Sequence, residues 1–113
     1  MHAVIRTYSG PGATELFDLL EKRKSEVETL MRPIDGFVSY HLVRTAGGGT
    51  SVTVCQNKAG TDESLRRARQ WIATNASNIQ ANEPIVSEGP VIVRLSSQET
   101  SADRPAAVPL ATT

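Results

Sequence analysis

Apolar residues in this chain switch between two spacings, and the order of the switches leaves very few folds open. Ala3 to Tyr8 is rich in β-branched residues and stops at Ser9-Gly10-Pro11-Gly12, as a strand does at a turn. From Thr14 to Arg32 the apolar residues are Leu16, Phe17, Leu20, Val27, Leu30 and Met31, which is helical spacing. Asp18 with Lys22 and Glu28 with Arg32 make i,i+4 pairs on the wet side of that helix. Pro33 ends it, because the residue before a proline is pushed out of the helical region. Phe37 to Arg44 and Ser51 to Gln56 return to strand character around Ala46-Gly47-Gly48-Gly49 and read as a hairpin. A second helix is expected to start near Thr61-Asp62, where threonine can cap and Asp62 and Glu63 complement the helix dipole. Leu65, Ala68, Trp71 and Ile72 form its stripe, and it ends around Asn75 to Asn78. The last strand is expected at Val91-Ile92-Val93-Arg94-Leu95, with Ile85-Val86 as an earlier start and Gly89-Pro90 as a bulge or break.

The order β-α-β-β-α-β defines an α+β domain of ferredoxin-like type, with two helices on one face of a four-stranded antiparallel sheet. The other face is left bare. Yet both alternation sets carry apolar residues: Val4 and Ile5, Leu42 and Val43, Ile92 and Val93. A sheet apolar on both faces needs a second cover, and a twofold copy of the same chain is the commonest one. A homodimer is therefore expected. Residues 1–95 form the single domain of this reading. In 96–113 Ser, Thr, Ala and Pro dominate, and a disordered tail is expected because so little can be buried there.

Composition removes several function classes. A chain of 113 residues builds one core. Twelve basic residues balance twelve acidic ones, so no basic stripe exists for a phosphate backbone, and nucleic acid is not an expected partner. Arg66, Arg67 and Arg69 read as a solvated helix face. No run approaches the ~18 apolar residues of a membrane span. Met1 to Arg6 has neither the basic start nor the apolar stretch of a signal peptide. Cys55 is the sole cysteine, and there is no CxxC pattern. These features suit a reducing cytoplasm.

Few residues suggest chemistry. Gly10-Pro11-Gly12 resembles the start of a phosphate loop, but Glu15 holds the place of the third glycine, so a plain tight turn is the better reading. A four-residue hairpin turn would set His41 opposite Val54 and Cys55 opposite Tyr40, with His41 and Cys55 on opposite faces. No metal site is expected from these residues and His2. Lys24 falls among Leu16, Phe17, Leu20, Val27 and Met31 at 100° per residue. Either it snorkels, or its charge faces a cavity holding an anionic or enolic ligand. Trp71 and Tyr40 are either core or the walls of a pocket for a flat ligand. Arg6 and Tyr8 share a strand face with Val4, and Arg94 shares one with Ile92, so each can reach the interior or an interface.

Asp35-Gly36-Phe37-Val38-Ser39-Tyr40 resembles the Pro-Gly-Phe approach to the second strand in dimeric α/β-barrel proteins, especially the antibiotic biosynthesis monooxygenase-like group. That resemblance spans residues 3–95 in topology. It implies a homodimer whose sheets pair into a barrel, with a pocket between helices and sheet in each subunit. Some members of that group are cofactor-independent oxygenases of polyaromatic substrates, and relatives degrade haem. Here Asp35 replaces the proline, and the third strand ends Cys55-Gln56-Asn57. No histidine lies in or after the second helix, where the haem-degrading relatives are expected to carry a ligand, so no cofactor is expected. Asn57 and Trp71 match residue types used by the oxygenases. The resulting expectation is a small dimeric protein that binds a small molecule, with Lys24, Tyr40, His41, Asn57 and Trp71 as pocket candidates. The alternative is a cofactor-independent monooxygenase-like enzyme acting on a small aromatic or enolic substrate. Residue types alone leave open whether the chain is an enzyme.

Overall fold

The structure, a computed structural model, describes residues 1–97. Its elements are β1 (His2–Tyr8), α1 (Ala13–Lys22), α2 (Lys24–Met31), β2 (Phe37–Thr45), β3 (Gly48–Cys55), α3 (Lys58–Asn75) and β4 (Ile85–Pro90). The strands form one sheet in the order β2-β3-β1-β4, each antiparallel to its neighbour. This is the ferredoxin-like α+β arrangement that the sequence implies, with the helices on one face. No helix among the described residues is long and apolar enough to cross a membrane.

The core lies between helices and sheet. Leu16, Phe17 and Leu20 of α1, Val27 and Met31 of α2, and Ala68 of α3 pack onto Val4, Tyr8 and Cys55 of the sheet. Tyr8 and Phe17 meet edge to face, with centroids 5.8 Å apart. The Phe17 ring also lies so close over Gly49 that any side chain there would collide with it. Deleting a side chain as deeply buried as Leu16 leaves a void, at a typical cost of about 2–5 kcal/mol.

Four local features differ from the sequence expectation. The helix expected from Thr61 starts one turn earlier, at Lys58, with Asn57 as its cap, and Thr61 is buried inside it with its hydroxyl donating to Lys58 O. The long first helix is two helices, broken at Arg23, whose backbone sits at φ −112°, ψ 33°. The Arg23 guanidinium holds the break together. It bonds both Glu26 carboxylate oxygens at 2.7 Å and Asn75 Oδ1 at 3.0 Å, and it lies 5.2 Å from the centre of the Trp71 ring. The break resets the helical phase, so a count of 100° per residue carried from Leu16 through Arg23 misplaces Lys24, which is exposed.

The hairpin turns through Ala46 and Gly47, with Thr45 opposite Gly48, so the register differs by two residues from the expected one. His41 therefore faces Val52, and Tyr40 faces Thr53. A shift of two preserves the faces, because side chains alternate with period two. A bulge between Phe37 and Ser39 restores pairing at the start of β2.

The last strand is Ile85–Pro90, not Val91 to Leu95. Its pairing runs from Thr7–Ile85 to His2–Pro90, and one further bond joins Val91 N to Met1 O at 2.9 Å. β1 is then used up. Beyond it Ile92, Val93 and Leu95 stand exposed with no strand beside them. The expectation for 96–113 lies, from residue 98 on, outside the described residues.

A cleft with a polar floor

The strand phase of β1 turns Val4, Arg6 and Tyr8 toward the helices. On β3 the same face carries Ser51, Thr53 and Cys55, and on β2 it carries Tyr40 and Leu42. The centre of the inner sheet face is thus polar where a purely structural core would carry valine or leucine. Arg6 is 5 % exposed. Its Nη1 donates to Tyr8 Oη at 2.9 Å, and the guanidinium carbon lies 5.8 Å from the Tyr8 ring centre. It forms no ion pair with any described residue.

Ser51 pairs across the ladder with Arg6, and Thr53 with Tyr40. Both are fully buried, and neither hydroxyl has a hydrogen-bond partner among the described residues. Buried Thr61 and Ser64 differ, because their hydroxyls donate to Lys58 O at 3.0 Å and Thr61 O at 2.7 Å. Burial pushes the Tyr40 phenol above its ordinary value, and the nearby Arg6 charge offsets part of the rise.

Two cavities meet at this floor, and Arg6 and Tyr8 line both. The inner one lies under α1, α2 and Trp71, with Tyr40 and Leu42 opposite, and its volume of about 20 Å³ is room for roughly one water. The outer one opens between α3 and the 76–84 segment and holds about 380 Å³, within the usual range of small-molecule sites. Leu16, Ile72, Ala73, Ala76, Ile79 and Ala81 make its walls largely apolar, with Arg69 and Glu83 also in the lining. A broader hollow of about 530 Å³ lies by Pro33 to Gly36 and the start of α3. Of its charged residues Glu63 and Arg67 pair with each other, and Asp35, at its rim, makes no ion pair with a described residue.

The structure brings two of the five candidates to this cleft. Tyr40 and Trp71 line the inner cavity. Lys24 is exposed at the start of α2. His41 is exposed on the helix-free face of β2. Asn57 caps α3: it sits in extended backbone, and its side chain accepts from Gly60 N at 3.2 Å. His2 lies at the sheet margin, 2.9 Å from Glu88, which also meets Lys58 at 3.5 Å. The Cys55 thiol is pushed up by burial. Arg6 and Tyr8 could be read as inward-facing from their phase with Val4. Ser51 and Thr53 gave no signal, since neither residue type stands out in a strand.

This topology is the ferredoxin-like α+β fold, and solved structures of that fold resemble it over most of the chain. At a TM-score of 0.62 it matches the haem degrader MhuD of Mycobacterium tuberculosis, solved with two haems bound in its active site, at 18% identity over 85% of this chain and 100% of that one. A monooxygenase of Streptomyces coelicolor in complex with the ligand nanaomycin D matches at 0.55 and 17% identity, over 85% and 91%. A dimeric ferredoxin-like protein from an uncultured marine organism matches at 0.59 and 9% identity, over 85% and 96%. The likeness is one of fold, and at that level it bears out the resemblance carried by Asp35 to Tyr40. No protein-family profile matches the sequence, and no curated protein is significantly similar to it.

The donors of the cleft are Tyr8, Tyr40 and the Met31 thioether, whereas both histidines lie elsewhere, so a proximal-histidine ligation has no counterpart. No cluster of metal-binding side chains occurs among the described residues.

Proposed function

We propose that this protein binds a small, flat, largely apolar molecule in the outer cavity, and that it does so as a homodimer. One observation carries the first part: a volume of about 380 Å³ with apolar walls standing over a buried polar floor. Such a combination gives a ligand both burial and orientation. The dimer is supported by the helix-free sheet face, where Ile5, Val43, Val52, Val54 and Ile85 lie together. A cytoplasmic setting, supported by the lone buried thiol of Cys55, belongs to the same reading.

Calorimetric titration with 2-naphthol and naphthalene-2-carboxamide, both uncharged at neutral pH, tests the cavity. Binding is expected. Ala73→Trp, which places an indole into the cavity from an exposed helix position, is expected to abolish it without lowering the melting midpoint. Absence of binding by every such probe, or binding indifferent to Ala73→Trp, would sink the proposal.

A monooxygenase-like enzyme is the second reading, favoured by Tyr40 and Trp71 beside the inner cavity. That lining holds no Asp, Glu, His or Lys to take a proton, and the one carboxylate of the cleft, Glu83, lines the outer cavity. Binding without turnover is therefore the stronger of the two. Oxygen uptake above the protein-free rate with a hydroxynaphthalene would reverse that order.

A further inference from the structure

We infer that the ligand of this cleft is an acid, and that its carboxylate docks on the Nε–Nη2 edge of Arg6. The inference rests on the cavity reading above and adds a ligand class to it.

Arg6 is the one buried cation of the chain's described residues, and its only hydrogen bond uses Nη1. Nε and Nη2 have no carboxylate beside them among those residues; the polar groups next to the guanidinium are the uncharged phenols of Tyr8 and Tyr40. A guanidinium presents these two atoms as a planar fork that matches a carboxylate with two parallel bonds. Burying such a charge without a counter-ion is costly, and a methionine of similar length would fill the same space without that cost. Local rules are broken in this way where a fold makes room for function.

One further observation points the same way. The charged residues lining the outer cavity are Arg6, Arg69 and Glu83, a positive balance. Glu83 forms no ion pair among the described residues, so it does not serve as the missing counter-ion. The apolar walls then take the body of the acid.

The test compares naphthalene-2-carboxylate with naphthalene-2-carboxamide, which share a shape and differ in charge. On the wild-type chain the carboxylate is expected to bind at least about tenfold more tightly, the least expected of a desolvated charge pair. In Arg6→Met the preference is expected to fall within about twofold while amide binding persists. The ligand-free variant is expected to melt higher than wild type, because an unpaired buried charge is gone. A structural role for Arg6 would make it melt lower. Should Arg6→Met not fold, Arg6→Lys keeps the charge and loses the fork, and a reduced but surviving preference is expected.

Equal binding of the two probes by the wild-type chain overturns the acid inference and leaves the cavity reading standing. Binding of neither probe overturns both. A preference that survives intact in Arg6→Met places the carboxylate elsewhere, and the inference falls.

Discussion

Asn57 and Lys24 show how residue type misleads when local geometry is unknown. Asn57 matches a residue type found in oxygenase sites, but its backbone is extended and its side chain closes the first turn of α3. Asn57→Ala is expected to cost about 1 kcal/mol of stability in denaturant melts, with binding of the naphthalene probes unchanged. A change in affinity at constant stability would return Asn57 to the site. Lys24 drew notice because a helical count put it on the apolar stripe, and the count failed at a break with no proline or glycine to announce it. Arg6 was the reverse case. Its inward phase was readable from Val4 and Tyr8, but the absence of a carboxylate beside it depends on which strands lie next to β1. No sequence period reports that.

Among the elements, the first three strands and the body of α3 were legible because their periods are uninterrupted. The hairpin faces were legible too, since the register error was even. The β4 error has a simple origin. Val91 to Leu95 has the stronger strand composition, but pairing is set by the register with β1, which runs from Thr7 opposite Ile85 to His2 opposite Pro90. Within α3, Glu63 binds Arg66 Nη2 at 2.7 Å and Arg67 Nε at 2.8 Å, and Arg67 Nη1 reaches Leu30 O of α2 at 2.9 Å. The two arginines hold the Glu63 carboxyl far down, at about 2 against an ordinary 4.5. Its folded value is the lower one, so its stabilising contribution is complete above 4.5 and is lost as pH falls toward about 2. The melting midpoint is expected to drop across that window, and the drop should be shallower in Glu63→Gln. Identical acid limbs for the two proteins would show that this cluster does not fasten α3 to α2.

For the whole molecule, the open question is what covers the second face of the sheet. The proposed dimer predicts a sedimenting species of about twice the 12.2 kDa chain mass. Val52→Asp, placing a charge at the centre of the helix-free face opposite Ile5 and His41, is expected to leave only monomer. A wild-type monomer at micromolar concentration, or a Val52→Asp dimer, would contradict that arrangement. β1 serves both sides of the sheet at once. Val4, Arg6 and Tyr8 belong to the cleft, while Ala3, Ile5 and Thr7 belong to the opposite face. Point substitutions in this strand therefore strike one side at a time. Inserting a single residue between Ala3 and Val4, or deleting Ala3, would instead exchange the two sets, turning Arg6 out of the cleft and Ile5 into it. Change in this strand is confined to replacement in place, and its length is the one property that both faces hold constant.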